Sequence, residues 1–368
     1  VTGQQDGIGD YVHLARYSIS NDPYHTYNMG GSQYVDLITP QAYDPTVRWE
    51  TTVTYNVGVD YGFFNDRLSG SIDAYIRDTK DLLNSVQVPM GSNFGNKLMT
   101  NIGSIRNKGL EFSINAVPVQ RPDLSVQLGF NGTFQNTIFT KLNPTEDENY
   151  YIETGNISKG TGGYLCRQMV GYAPYTYYTY RQKYYPDGNP VQNEFVDLDG
   201  DGTITENDRY MTGKSAAPKF YYGLNMKVTW RNWDFGLNGH GAAGTWVFND
   251  FASANSTASL DLNSGALPNQ ARLVKKTGFT APNSGQQWYS DYFLENASFF
   301  RLDDINLGYT FRGIGRWETD IRLALGMQNV FILTGYSGMD PEVISENGID
   351  NTVWPRPRTW SFRVNVNF

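Results

Sequence analysis

Apolar and polar side chains alternate with a period of two along much of this chain. In WSFRVNVNF at residues 360–368, Trp360, Phe362, Val364, Val366 and Phe368 fall on one side, and Ser361, Arg363, Asn365 and Asn367 on the other. Successive side chains of a strand point to opposite faces, so this spacing predicts a two-faced strand. Residues 53–63 repeat it, with Val53, Tyr55, Val57, Val59, Tyr61 and Phe63 opposite Thr54, Asn56, Gly58, Asp60 and Gly62. Further strands of the same kind are marked by Leu110, Phe112 and Ile114, by Leu124, Val126, Leu128 and Phe130, by Tyr222, Leu224, Met226 and Val228, and by Ile321, Leu323 and Leu325. From 300 to 311 the alternation slips at Asp303-Asp304 and resumes at Ile305, Leu307, Tyr309 and Phe311, which predicts a β-bulge.

The connections alternate as well. Short ones fall at 63–67, 119–123, 231–232 and 313–318. Long ones fall at 21–46, 80–105, 140–163, 186–218, 248–297 and 334–357. Tight turns at one end and long loops at the other are the habit of an outer-membrane barrel. Counting strand directions back from the last one calls for a return strand between 124–138 and 174–185. YLCRQMVGY at 164–172, with a turn at Ala173-Pro174, is the segment available for it. The expectation is an all-β, antiparallel, up-and-down transmembrane β-barrel wall of about twelve strands.

Composition sharpens that reading. The 368 residues include 26 Tyr, 20 Phe and 38 Gly, a strand- and turn-rich mixture. No apolar run approaches the roughly 20 residues a membrane helix needs, a test to which barrel strands are blind. The net charge of -8 argues against nucleic acid as a partner. The single cysteine, Cys166, excludes an intramolecular disulfide and reads as a small filler residue. A soluble β-sandwich would also alternate, but its inner faces would not carry Asn, Ser, Thr, Asp and Arg on nearly every strand. Aromatic residues at strand ends (Tyr61, Phe63, Trp230, Trp233, Trp317, Trp360 and Phe368) suit an interface girdle, with lipid against the apolar face. The opening VTGQQDGIGDYVHLARYS has neither a basic n-region nor an apolar h-region, so the chain reads as an internal piece of a longer polypeptide.

Several segments resemble the C-terminal part of the SusC/RagA-like TonB-dependent transporters of the Bacteroidota outer membrane. They are VTGQQDGIG at 1–9, the stretch from Val47 to Leu83, NIGSIRNKGLEFSINA at 101–116, DLDGDGTITENDRY at 197–210, INLGYTF at 305–311, and LGMQNVFILTGYSGMDPE at 325–342. The resemblance implies a barrel of about 22 strands around a plug, of which residues 1–368 would be the C-terminal half, with plug and N-terminal barrel half upstream. It also implies import of oligosaccharides or peptides across the outer membrane of a Gram-negative bacterium, a SusD-like lipoprotein lid, and energy from TonB. Such a protein is not an enzyme. The alternative is a soluble or surface-attached glycan-binding β-protein stiffened by calcium.

The one chemical motif is DLDGDGTITEND at 197–208. Asp197, Asp199 and Asp201 occupy positions one, three and five of a Ca²⁺ loop, and Gly202 supplies the turn at six. Thr203 offers its carbonyl at seven, and Thr205 could act through water at nine. Asp208 stands at twelve where Glu is usual, and no flanking helix pair is evident. The expected role is structural, stiffening a loop that carries little core of its own. His13, His25 and His240 share no ligand spacing. Asp303 and Asp304, as neighbours on a regular strand, point to opposite faces. The sequons at Asn131, Asn156, Asn255 and Asn296 read as chance. The run Tyr172, Tyr175, Tyr177, Tyr178, Tyr180, Tyr184 and Tyr185 reads as girdle plus wall strand, or as a ligand-facing platform.

Overall fold

The computed structural model describes residues 2–4, 11–20, 27–34, 37–87, 97–142, 150–160, 163–258, 269–315, 318–342, 347–351 and 354–367. One antiparallel sheet contains ten strands in sequence order. These are β1 (Thr2–Gln4), β2 (Glu50–Phe63), β3 (Leu68–Gln87), β4 (Lys97–Arg121), β5 (Leu124–Lys141), β6 (Phe220–Trp230), β7 (Trp233–Ala243), β8 (Phe299–Ile314), β9 (Thr319–Thr334) and β10 (Thr359–Asn367). The 25 residues of β4 and 20 of β3 exceed the roughly 9–11 that a tilted membrane crossing needs.

Two compact units make up the chain. The first comprises Val1–Tyr55, Ile76–Asn107 and Ile138–Tyr150. Within it Asn101 Nδ2 donates to the carbonyls of Arg48 (2.8 Å) and Asp81 (2.7 Å), and Arg106 pairs with Asp78 at 2.6 Å. The second comprises Asn56–Tyr75, Lys108–Thr137 and Tyr151–Phe368, and holds the loop core, both side-chain constellations and the cavities described below.

Among the described residues, no protein covers the apolar face of the wall strands. Val57 is 76 % exposed, Trp360 74 % and Leu333 61 %, and Val59, Ile72, Leu128, Leu307, Leu325 and Phe362 are exposed too. The main buried core lies wholly outside the ten strands. A soluble sandwich would seal this face under a second sheet. Near the short turns Trp233 packs edge-on against Tyr309 at 4.7 Å, which meets Phe311 at 4.7 Å. Trp230 and Trp233 pair across the Arg231-Asn232 turn, where Arg231 takes a left-handed φ of 53°. Phe63 and Trp360 are exposed as a girdle requires, while Trp317 and Phe368 lie outside the described residues.

The strand count is corrected. β5 pairs directly with β6, from Leu124↔Trp230 to Phe134↔Phe220, so no return strand stands between them. Of residues 164–172 only Cys166–Met169 is strand, and it joins a separate sheet with Tyr151–Thr154, Thr176–Tyr180 and Arg209–Met211. Counting directions failed because it granted one wall strand to each apolar run. Thr176–Tyr180 is buried on both faces, which no lipid-facing strand can be.

Loops 142–219, 244–298 and 335–358 carry a core of their own. Leu165, Cys166, Tyr177, Tyr180 and Phe195 of the first pack with Phe248, Phe279 and Phe293 of the second and Ile349 of the third. The expectation of a loop with little core is therefore corrected, as is the reading of the tyrosine run. Tyr177, Tyr178 and Tyr180 are core residues, and only Tyr184 and Tyr185 are well exposed. Cys166 is a buried filler, and burial pushes its thiol pKa up, which makes it inert.

Candidate functional site

At the surface of the loop region the acidic segment folds into a tight cradle. Gly200 and Gly202, with φ of +77° and +85°, make turns that L side chains rarely adopt. They aim their N–H groups at Asp197, whose Oδ1 accepts from Gly200 (2.6 Å) and Oδ2 from Gly202 (2.9 Å). Asp199 Oδ1 accepts from Asp201 N–H at 3.2 Å. Thr205 caps the short 3₁₀ turn Glu206–Asp208, its hydroxyl accepting from Asn207 N–H at 3.2 Å. Asp208 returns the bond in a capping box, accepting from Thr205 N–H at 2.8 Å through Oδ2 and from Leu198 N–H at 2.7 Å through Oδ1.

Carboxylate oxygens of Asp197, Asp199 and Asp208 lie within 4.8 Å of one another. Asp201 stands outside this group, its Oδ1 accepting from Thr203 N–H at 2.7 Å. The N–H bonds from Thr205 and Leu198 hold the Asp208 carboxyl below the usual carboxylate range. Asp199 goes the other way. The Asp201 N–H bond pulls it down, but desolvation and the charges of Asp201, Asp208 and Asp197 outweigh that bond, and its net shift is upward. Hard oxygen donors at this density are what Ca²⁺ takes, and a cation would relieve the mutual repulsion.

A second constellation lies on the polar face of the wall, and sequence reasoning passed over it. His240 on β7 sits with Nδ1 2.6 Å from Asp303 Oδ2 and Nε2 3.1 Å from Glu342 Oε1. Arg301 is buried and donates to Glu342 (2.9 Å), Asp340 (2.6 Å) and Asn329 (2.5 Å). Arg356 reaches the same Glu342 at 3.1 Å. The predicted bulge builds this cluster. Register passes from Asn238↔Asp304 to Gly239↔Leu302, leaving Asp303 unpaired. Asp303 then meets His240 while Asp304 accepts from Asn238 Nδ2 at 2.9 Å. Asn238 and His240 share a face of β7, so both carboxylates reach that face, correcting the expectation of opposite faces. The phase slip at Asp303-Asp304 was the signal that could have found it. His13 is exposed, and His25 lies outside the described residues. Beside His240 a cavity of about 490 Å³ is lined by Tyr175, Tyr221, Thr245, Phe299 and Glu342 among others.

Residues 14–330 match the family described as TonB dependent receptor-like, beta-barrel. The chain belongs to this family. Its resemblance to the TonB-dependent receptor SusC of Bacteroides thetaiotaomicron amounts to 39% identity over 378 residues, covering 100% of this chain and 37% of SusC. The TonB-dependent receptor P3 of Formosa agariphila is 28% identical over 402 residues, covering 98% of this chain and 38% of P3. A solved structure of the RagAB peptide importer in its 'closed-closed' state has the same fold, with a TM-score of 0.76 at 22% identity over 99% of this chain and 39% of that one. The chain thus spans less than two fifths of the length of these relatives. As a TonB-dependent receptor barrel it lies in the outer membrane, with its uncovered apolar face toward lipid and its polar face toward the lumen. Membership sets aside the soluble sandwich, and the relatives are receptors and transporters, not enzymes.

Proposed function

We propose that this chain forms part of the wall and the extracellular loops of a SusC-like importer of oligosaccharides or peptides. The observation that carries the reading is the uncovered apolar face of the long alternating wall strands, joined to a loop region with a core of its own. In outer-membrane barrels the short turns lie at the periplasmic end, so the long loops would face outward. The remaining wall and a plug would come from other parts of the same polypeptide, in keeping with the share of its relatives that the chain covers. A SusD-like lipoprotein would close the loops from outside and TonB would supply energy. The luminal cavity beside His240 offers cargo the aromatic faces of Tyr175 and Tyr221 and the polar groups of His240 and Glu342, a combination that suits a sugar ring or a peptide side chain.

Asp197, Asp199 and Asp208 would hold a structural Ca²⁺ through carboxylate oxygens, with Asp201, Thr203 and Thr205 shaping the loop around it. The ion would stiffen the segment that feeds Arg209–Met211 into the loop sheet.

The test of transport is growth of the native host on single oligosaccharide or peptide sources. Deletion of the gene should abolish growth on one cargo class. Tyr175→Ala with Tyr221→Ala should slow it while leaving the outer-membrane level of the protein unchanged. Undiminished growth of the deletion strain on every source would remove the proposal.

A further inference from the structure

A second cavity, of about 580 Å³, lies inside the loop region and belongs to neither site above. Its lining includes Lys159, Glu206, Arg209, Trp288, Tyr289 and the backbone of Gly163. Arg209 is only 6% exposed. One guanidinium nitrogen, Nη2, donates to the carbonyls of Tyr164 and Tyr178, each at 2.5 Å. Its Nε is buried without a hydrogen-bond partner, as is the Tyr289 hydroxyl. Tyr178 and Tyr289 lie 4.4 and 4.8 Å from the guanidinium as cation–π partners. Arg167, which also lies over the Tyr178 ring, has Glu153 at 3.0 Å. Arg209 has no carboxylate in ion-pair contact among the described residues; Glu206 on the rim acts on it through its charge but makes no ion pair with it or with Lys159. A buried charge normally has a counter-charge, because aromatic faces replace only part of its hydration.

We propose that this cavity is a receptor for a small carboxylate-bearing ligand, with Arg209 and Lys159 as its cationic partners and Trp288 as its apolar wall. Two cations against one rim carboxylate make the lining net positive. The half-buried indole of Trp288 gives a ring or short aliphatic body somewhere to lie. A guanidinium that lines the cavity matches a carboxylate better than a neutral hydroxyl. The carboxylate could belong to a sugar acid or to the C-terminus of a peptide.

The experiment is calorimetric titration of the intact transporter in detergent with glucuronate, glucose, N-acetylalanine and N-acetylalaninamide. Binding of glucuronate without glucose, or of N-acetylalanine without its amide, supports the site and identifies the source; binding of both acids assigns it to carboxylates in general. Lys159→Gln, at an exposed position that should leave folding intact, should weaken binding roughly tenfold, and Arg209→Met should do more. Raising the ionic strength should weaken it as well. Equal binding of glucose and glucuronate, binding of neither acid, or an affinity indifferent to Lys159→Gln would overturn the proposal. Uptake is not measured, so failure here leaves the transport reading standing, and the reverse.

Discussion

Arg322 on β9 grips Asp234 on β7 across the intervening strand β8, with Nε 2.8 Å from Oδ2 and Nη2 2.5 Å from Oδ1. The clamp passes over Gly308, which pairs with Asp234. A Cβ at Gly308 would stand 2.4 Å from the Asp234 carboxylate and 2.5 Å from the Arg322 guanidinium. Glycine is thus required there by a close approach of side chains, and an ion pair on the luminal face ties three strands together.

Removing the clamp should therefore cost the wall. Both side chains are 27 % exposed, so solvent screens the pair and the expected coupling is about 1–2 kcal/mol in a double-mutant cycle. Gly308→Ala should lower the heat-induced unfolding temperature of the barrel, read by gel mobility. In an Arg322→Ala background the same change should cost less. Additive effects would mean that Gly308 acts through something other than this pair.

The loop core depends on one phenol. The Tyr177 hydroxyl lies 2.8 Å from the Gly348 carbonyl and 2.9 Å from that of Trp246, tying three loops at a fully buried point. Tyr177→Phe removes this buried hydroxyl and its bonds, although the Gly348 carbonyl keeps the N–H of Phe248 at 2.9 Å, and should destabilise the loop region by about 1–3 kcal/mol, read as faster hydrogen exchange over residues 164–180 with β6–β9 unchanged. Gly348→Ala should be worse. Its φ of +73° disfavours a side chain, and the new Cβ would sit 2.1 Å from the Tyr177 hydroxyl oxygen.

How much of this was legible in the chain differs between wall and loops. A lipid-facing strand is written by a single rule, one apolar side and one polar side, so β2, β5, β6, β9 and β10 could be read residue by residue. The bulge at Asp303 was visible because it breaks that rule. Thr176–Tyr180 was misread because a strand buried on both faces has no period to detect, and its tyrosines owe their burial to Phe248, Phe293 and Ile349, the last of them 172 residues beyond Tyr177. The acidic loop was legible because glycines with positive φ and carboxylates at fixed spacing are local chemistry. The cluster around His240 was harder to read, because Arg301 reaches it through the pairing of distant strands and Glu342 from the loop after β9.

On the proposed reading, calcium should matter at the acidic loop and not in the wall. Chelation should raise protease cutting between residues 190 and 212 while the barrel keeps its heat-resistant gel mobility. Asp199→Asn removes a proposed ligand and also a repulsive charge, so it should abolish any protection by calcium and slightly calm the calcium-free loop. Asp208→Asn should loosen the loop with or without calcium, because Asp208 also accepts from Thr205 and Leu198. Cutting that ignores chelator in the parent protein would remove the ion from the account.

Asp250 makes the loop region sensitive to pH. It is 1% exposed. Its Oδ2 accepts from Ser158 N–H at 3.0 Å, but Oδ1 is buried without a partner. Desolvation raises its pKa above the usual 3.8, the Ser158 bonds oppose this, and the charge of Asp350 adds to it. Asp350 itself accepts from the Tyr336 hydroxyl at 2.7 Å. A raised folded-state pKa means that the native protein holds this proton more tightly than the unfolded chain. The resulting stability is fully present below about 3.8 and is lost as pH rises through the raised value. Above that point the carboxylate is ionised in a dry place. Asp250→Asn keeps an acceptor for Ser158 and carries no charge, so at pH 7 it should stabilise the loop region by about 1–3 kcal/mol, the scale of a buried polar group left unpaired. It should also flatten the pH dependence of protease resistance between pH 4 and 7. A variant that tracks the parent across that range would show that Asp250 is neutral throughout or reaches water that its burial denies.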